Sequence, residues 1–289
     1  MPDRPVLLGV FAHPDDESFG PGGTLARYAA QGVDVHIVIA TDGVAGSIDS
    51  EDRLVGHDNL AQVRAKELDR AVAILGATLH RLPHRDSGMV GTADNQHPDA
   101  LIQQPVEALT RTLVTLIRQL RPQVIVTHDQ HGGYGHPDHI MCCMATTAAF
   151  YVAGDATFAL DGPAADLPAF APQKLYYTAF SKTFLKWVVR ILRLLRKDPT
   201  KFGRNQDIDL MEISTWETPT HAQVDVADYL VTKRRASEAH ESQYSGGPPI
   251  VRLLPGFLYK RIMGRESFTR VFPAPSPEME SDLFADVVA

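Results

Sequence analysis

The chain has 289 residues, 44% of them apolar, with 28 basic and 35 acidic side chains and a net charge of −7. That length suits one large α/β domain with additions, and the acidic balance excludes a general polyanion-binding surface, so no nucleic-acid partner is expected. The two cysteines, Cys142 and Cys143, are adjacent and cannot build a disulfide framework; with no basic leader and no apolar run long enough to span a bilayer, the expectation is a cytoplasmic chain without a transmembrane segment.

In chain order, residues 6–12 read as a strand and 24–30 as a helix stopped by Gly32. Residues 33–40, rich in β-branched side chains, form a second strand ending in Thr41-Asp42-Gly43. Residues 44–59 are polar and read as a loop. Leu60, Val63, Leu68, Val72 and Leu75 give residues 61–75 an amphipathic stripe, with Gly76 as the stop. A third strand is expected over 77–82, then a long loop, 83–104, of the kind that is usually functional. Pro105 opens a helix to Leu120, residues 123–128 form a strand, and Pro137 starts a helix running to Tyr151.

This alternation over residues 1–150 predicts an α/β fold: a Rossmann-like, mostly parallel sheet flanked by helices, with ligands beyond the carboxyl ends of its strands. A less regular C-terminal portion is expected to cap the site. It includes a strand at 174–180, a basic amphipathic helix in 182–204, a charged helix at 227–243 and a Gly/Pro-rich loop at 245–256. Residues 182–204 carry eight basic residues and one acid, read first as a solvated face covering the body or an oligomer contact and second as a membrane-surface element. The domain reading is one catalytic domain over 1–272 (core 1–150, extension 151–272) and an acidic tail, 273–289, open to disorder.

Two clusters carry the chemistry. Ala12-His13-Pro14-Asp15-Asp16-Glu17 follows the first strand, and Tyr134-Gly135-His136-Pro137-Asp138-His139 follows the strand at 123–128. Charged groups beside a low-dielectric sheet need partners or a metal. His13, Asp16 and His139 make the His/carboxylate set of a catalytic zinc that keeps one position for water. Asp15 is adjacent to a ligand yet free to act as general base. Tyr134 or His136 could donate to the developing oxyanion; His136 could also protonate the leaving amine, with Asp138 or another acid holding its tautomer. Asp138 could instead be only a helix cap. The glycines at 20, 22 and 23 do not match G-x-G-x-x-G.

At these residues the sequence resembles the PIG-L/LmbE-like zinc deacetylases, which include the N-acetylglucosaminyl-phosphatidylinositol de-N-acetylases, the mycothiol-pathway deacetylase and amidase, and the bacillithiol-pathway deacetylases. Ala-His-Pro-Asp-Asp-Glu at 12–17 and His-Pro-Asp-His at 136–139 carry the likeness. Smaller matches are Thr41-Asp42-Gly43, Arg64 with Glu67, Asp86-Ser87-Gly88, His240 with Ser242-Gln243, and Gly264-Arg265-Glu266-Ser267-Phe268.

The resemblance implies a Rossmann-like fold and hydrolysis of an N-acyl, usually N-acetyl, amide on an amino sugar or glycoside. It assigns Zn2+ (with Fe2+ as the other candidate) to His13, Asp16 and His139, and the base to Asp15. It makes His136 the electrophilic or acid partner supported by Asp138, and turns Tyr134 to the oxyanion. It also implies that Arg64, Asp86 and His240 bind the substrate. The expected partner is a small-molecule N-acetylated sugar or glycoside, with a homo-oligomer left open. The competing readings are an amidase acting on a thiol conjugate, a non-haem iron oxygenase with the same two-His-one-carboxylate triad, and a non-catalytic sugar-binding module.

Overall fold

Every residue from Leu7 to Phe11 is buried, because this stretch is apolar on both sides of the pleat. Leu7 and Phe11 join one core cluster and Leu8 and Val10 another, one on each side of the sheet. Such two-sided burial belongs to a central parallel strand. The computed structural model, which describes residues 4–48, 59–179, 182–202, 206, 208–244 and 256–288, builds a seven-stranded sheet around it.

The strands are β1 (Val6–Phe11), β2 (Asp34–Thr41), β3 (Thr78–His84), β4 (Val124–Thr127), β5 (Lys174–Ala179), β6 (Ala222–Asp225) and β7 (Arg265–Phe272). The helices are α1 (Asp16–Phe19), α2 (Gly22–Ala30), α3 (Leu60–Leu75), α4 (Val106–Leu120), α5 (Gly132–Gly135), α6 (Pro137–Val152), α7 (Lys182–Leu194), α8 (Leu210–Ile213), α9 (Leu230–Ala239) and α10 (Gly256–Met263). The strand order is β3-β2-β1-β4-β5-β7-β6. β1 to β5 run parallel, while β7 is antiparallel to both β5 and β6.

One helical layer is carried by α2, α3 and α9, the other by α4 and α6. The stripe of α3 runs as expected: Val63, Leu68, Val72 and Leu75 are buried. Its start is capped by the Asn59 side chain, and its end by Gly76 in the left-handed conformation. Chain order reverses between β1 and β4, so the crevice of a parallel sheet opens beyond their carboxyl ends. Both signature clusters begin there.

The C-terminal part differs from expectation in four ways. It supplies three strands to the same sheet, of which the sequence suggests only β5. The basic helix stops at Leu194, followed by Arg196 at φ 56°, and the charged helix covers only Leu230–Ala239. The tail expected to be open to disorder is packed. Leu283 is fully buried, its N–H donates to the Tyr28 hydroxyl at 2.7 Å, and Glu280 accepts from Lys174 Nζ at 2.9 Å and the Tyr176 hydroxyl at 2.6 Å. Those acids are spent on specific buried donors, which composition alone does not reveal. Residues 49–58 of the expected 44–59 loop, and 245–255 of the Gly/Pro-rich loop, lie outside the described residues. Among the described residues, no helix is long and apolar enough to cross a membrane.

Candidate metal centre

Beyond β1 the chain turns sharply through Pro14 into the single turn of α1, and this turn points several side chains to one place. Asp15 sits at φ 128°, a region that strains an L-residue. Three contacts hold it there: its N–H donates to Glu17 Oε2 at 3.0 Å, the Arg64 guanidinium lies 2.9 Å from Asp15 Oδ2, and the same guanidinium donates to the Pro14 carbonyl. Arg64 also donates to the Gly43 carbonyl at 2.8 Å, and a Cβ on Gly43 would lie 2.5 Å from that guanidinium. The Thr41-Asp42-Gly43 segment therefore has glycine where the arginine passes. Asp42 Oδ1 accepts from the Asp86 N–H at 3.1 Å and so anchors the loop after β3.

His139 arrives from the first turn of α6, whose start is set by Pro137 and by the His136 ring, Nδ1 of which accepts the Asp138 N–H at 3.2 Å. The three expected ligands converge. His13 Nδ1 lies 3.1 Å from His139 Nε2 and 3.6 Å from Asp16 Oδ2, and His139 Nε2 lies 3.4 Å from Asp16 Oδ2. Ligand atoms about 2.1 Å from a tetrahedral ion stand about 3.4 Å apart, so this triangle fits a zinc-sized cation. His13 Nε2, on the other edge of the ring, meets Asp138 Oδ2 at 3.1 Å and Asp86 Oδ1 at 3.4 Å. That is the carboxylate–histidine arrangement that fixes a ligand's tautomer.

Asp138 is thus placed differently from the expectation that it supports His136. Its carboxylate goes to His13 and accepts the Ser87 N–H at 2.9 Å, while its hydrogen bond to the His136 ring is made by its main-chain N–H. His240 lies behind the turn, away from the described cleft walls. It is fully buried and 2.7 Å from Glu17 Oε1. It steadies Glu17, and through it the Asp15 turn. Glu17 does not cap the next helix; its other oxygen braces the Asp15 N–H. Arg64, Asp86, Tyr134 and His136 do line a cleft, of about 230 Å³, together with His13 and Asp15.

Sequence reasoning missed His128. Its ring stacks on His139 at 3.8 Å between centroids, and its Nε2 accepts the Ala12 N–H at 3.0 Å while lying 3.4 Å from Asp16 Oδ2. The lone pair is committed to a buried amide, so His128 orients His139 and Asp16 and does not complete the ligand set. Its position at the end of β4, on the ligand-bearing edge, was the available signal.

The electrostatics suit a cation. Burial opposes ionisation of Asp16, but the imidazoles of His139 and His128 outweigh it and hold the carboxyl well below the usual range. Burial likewise opposes a charge on His13, yet Asp86, Asp138 and Asp16 together draw positive charge to it. Burial keeps His139 neutral, as a ligand must be. Burial raises Asp15 to about 7 against the opposing pull of Arg64. Burial, with His13 next, lowers His136 to about 4, so it is neutral at pH 7. Because its Nδ1 accepts the Asp138 N–H, the proton of the neutral ring sits on Nε2, which is free to act as a donor. Burial also pushes the Tyr134 hydroxyl up, so it stays protonated.

A family model described as PIG-L, GlcNAc-PI de-N-acetylase, matches residues 8–150. A 1D-myo-inositol 2-acetamido-2-deoxy-alpha-D-glucopyranoside deacetylase of Catenulispora acidiphila is 36% identical over 96% of this chain and 96% of its own length. Among solved structures, the N,N'-diacetylchitobiose deacetylase of Pyrococcus horikoshii superposes with TM-score 0.61 at 21% identity, covering 93% of this chain and 84% of that one. A 4-carboxy-2-hydroxymuconate hydratase of Pseudomonas putida superposes nearly as well, with TM-score 0.59 at 18% identity over 95% and 99% of the two chains. The fold alone therefore does not decide the reaction.

Proposed function

This chain belongs to the PIG-L family, and from that premise we propose that it is a metal-dependent hydrolase that removes an N-acyl group, acetyl in the first instance, from the amine of an amino sugar or glycoside. The observation that carries the reading is the His13–Asp16–His139 triangle with Asp15 beside it: two imidazoles and a carboxylate within 3.6 Å of one another, and a second carboxylate outside the set. This donor set suits zinc, with iron(II) next. When bound there, the ion acidifies a water and polarises the amide carbonyl.

The chain's own residues do the rest. Asp15, raised to about 7 by burial, takes a proton from the attacking water as its oxygen bonds to the carbonyl carbon. Tyr134 O–H and His136 Nε2–H donate to the carbonyl oxygen as it becomes anionic. The proton held on Asp15 then passes to the departing nitrogen as the C–N bond breaks, leaving a carboxylic acid and a free amine. Arg64 keeps Asp15 aimed through both transfers. Asp138 holds the His13 tautomer from behind, and Asp86 offers its carboxylate to sugar hydroxyls. Neutral His136 serves better as a donor than as the acid. We assign the reaction to the cytoplasm, where the free, buried Cys142 and Cys143 meet no oxidant.

The test is acetate release by the zinc-loaded protein from N-acetylglucosaminyl-inositol and a panel of N-acetylglucosamine glycosides. Turnover that Asp15→Asn suppresses is expected. No turnover on any member, or an Asp15→Asn variant as active as the parent, would overturn the assignment. A dioxygen-consuming reaction in the iron(II) form would point to the oxygenase reading instead.

A further inference from the structure

The ligand triangle has a second side. Asp16 and His139 also line a hollow of about 830 Å³, which meets the first cleft at Asp15, Ser47, Tyr134, Ile208 and Gln243. The two spaces differ in chemistry. The first is walled by carboxylates, Arg64 and imidazoles. The second is walled among the described residues chiefly by Phe11, Phe19, Pro21, Ile262, Met263 and Phe268. Its polar border is Thr178, Ser267, Gln243 and the exposed Arg265 at the rim, with Lys233 and Glu266 paired with each other at 2.6 Å and Glu266 further accepting the Gly23 and Thr24 N–H groups at 3.0 and 2.7 Å. Phe19, three residues after a metal ligand, is 41% exposed.

We propose that this hollow holds the acyl side of the scissile amide and that the enzyme accepts N-acyl groups longer than acetyl, up to a medium-length alkyl chain. The inference rests on the N-deacylation reading above and deepens it. The reacting carbonyl must sit at the seam between the two spaces, beside Asp15 and Tyr134, so its two substituents leave in opposite directions. Sugar hydroxyls need the hydrogen-bonding groups of Arg64 and Asp86, and an alkyl chain needs the phenyl and aliphatic wall. A methyl group, about the size of one water at about 30 Å³, leaves a hollow of this size almost unfilled. Each further buried methylene favours binding by about fourfold.

The zinc-loaded full chain is assayed for amine release from N-acetyl-, N-butanoyl- and N-octanoyl-glucosamine, and for inhibition by acetate and octanoate. The expected result is kcat/KM at least about tenfold higher for the octanoyl than for the acetyl substrate, with octanoate inhibiting at a correspondingly lower concentration than acetate. Ile262→Glu, a charge set into the hollow, should cut the octanoyl-to-acetyl ratio by about tenfold or more, and Ile262→Leu should keep it. Phe19→Ser supplies the same comparison if the glutamate variant does not fold. Acetyl turnover equal to or better than octanoyl, or a ratio that neither polar variant moves, overturns the acyl-pocket assignment while leaving deacetylation standing. Absence of turnover with all three substrates overturns the reaction itself and the pocket assignment with it.

Discussion

The carboxylates of Asp86 and Asp138 beside His13 and those of Glu67 and Glu266 are buried in the same molecule, yet they are used in opposite ways. Glu67 accepts the Ser242 N–H at 2.8 Å and its hydroxyl at 2.7 Å, which ties α3 to the chain after α9. Glu266 caps the start of α2 and neutralises Lys233. Each is closed by donors of its own. Asp16, Asp86 and Asp138 instead crowd together and share the imidazoles of His13, His128 and His139, with Asp15 beside them on the Arg64 guanidinium. A saturated carboxylate is a brace, and a crowd of carboxylates sharing donors is a place for a cation. Burial does not separate Asp86 and Asp138 from Glu67 and Glu266, but the accounting of partners does.

Substitutions can break this contrast. The largest effect is expected at the crowd: His13→Ala should bring activity to background and abolish stoichiometric metal, read by elemental analysis of the purified protein. Asp15→Asn should lose about 10²–10⁴ in rate and keep its metal, because a base is removed and a ligand is not. The pH profile of the parent should fall on the acid side as Asp15 takes up a proton, with a midpoint at or below about 7. Burial, opposed by Arg64, leaves the group at about 7, and a bound cation next door lowers it. An acid limb that survives unchanged in Asp15→Asn would assign it to another group.

Asp138→Asn tests the corrected placement. Metal affinity should fall about 10–100-fold, with most of the rate restored at saturating metal. Had Asp138 served His136 alone, affinity would not move.

Among the braces, Glu67→Gln should cost about 1–3 kcal/mol of stability and leave metal content and the activity of the folded fraction intact, measured by denaturant titration beside the assay. The smallest effect concerns the Glu17–His240 pair. Burial disfavours a charge on His240, and Glu17 more than offsets this, so its folded pKa lies above the usual 6.5. The pair therefore stabilises the fold fully below about 6.5 and loses that contribution as pH rises through the folded value. Melting temperature should slope downward over that window in the parent and flatten in Glu17→Gln.

Much was legible along the chain because it is local. The buried run of β1, the stripe of α3 with its glycine stop, and a His-x-x-Asp turn beyond a strand depend on spacings of a few residues. His13 and Asp16 share one turn, and Pro137 places His139 on the first turn of a helix. The parallel order followed from strand–helix alternation, and with it the edge on which both signatures meet. What only the tertiary structure decided are the pairings between distant segments. Asp138 turned to His13 rather than to its neighbour His136, and His240 went to Glu17 instead of the cleft. His128 was committed to the Ala12 amide, β7 entered between β5 and β6, and the acidic tail was held by Tyr28, Lys174 and Tyr176. Periodicity and capping are encoded within a turn or two of chain. A buried carboxylate or imidazole takes whichever donor the packed elements bring within about 3 Å, and that choice does not exist until the sheet and its helices have closed.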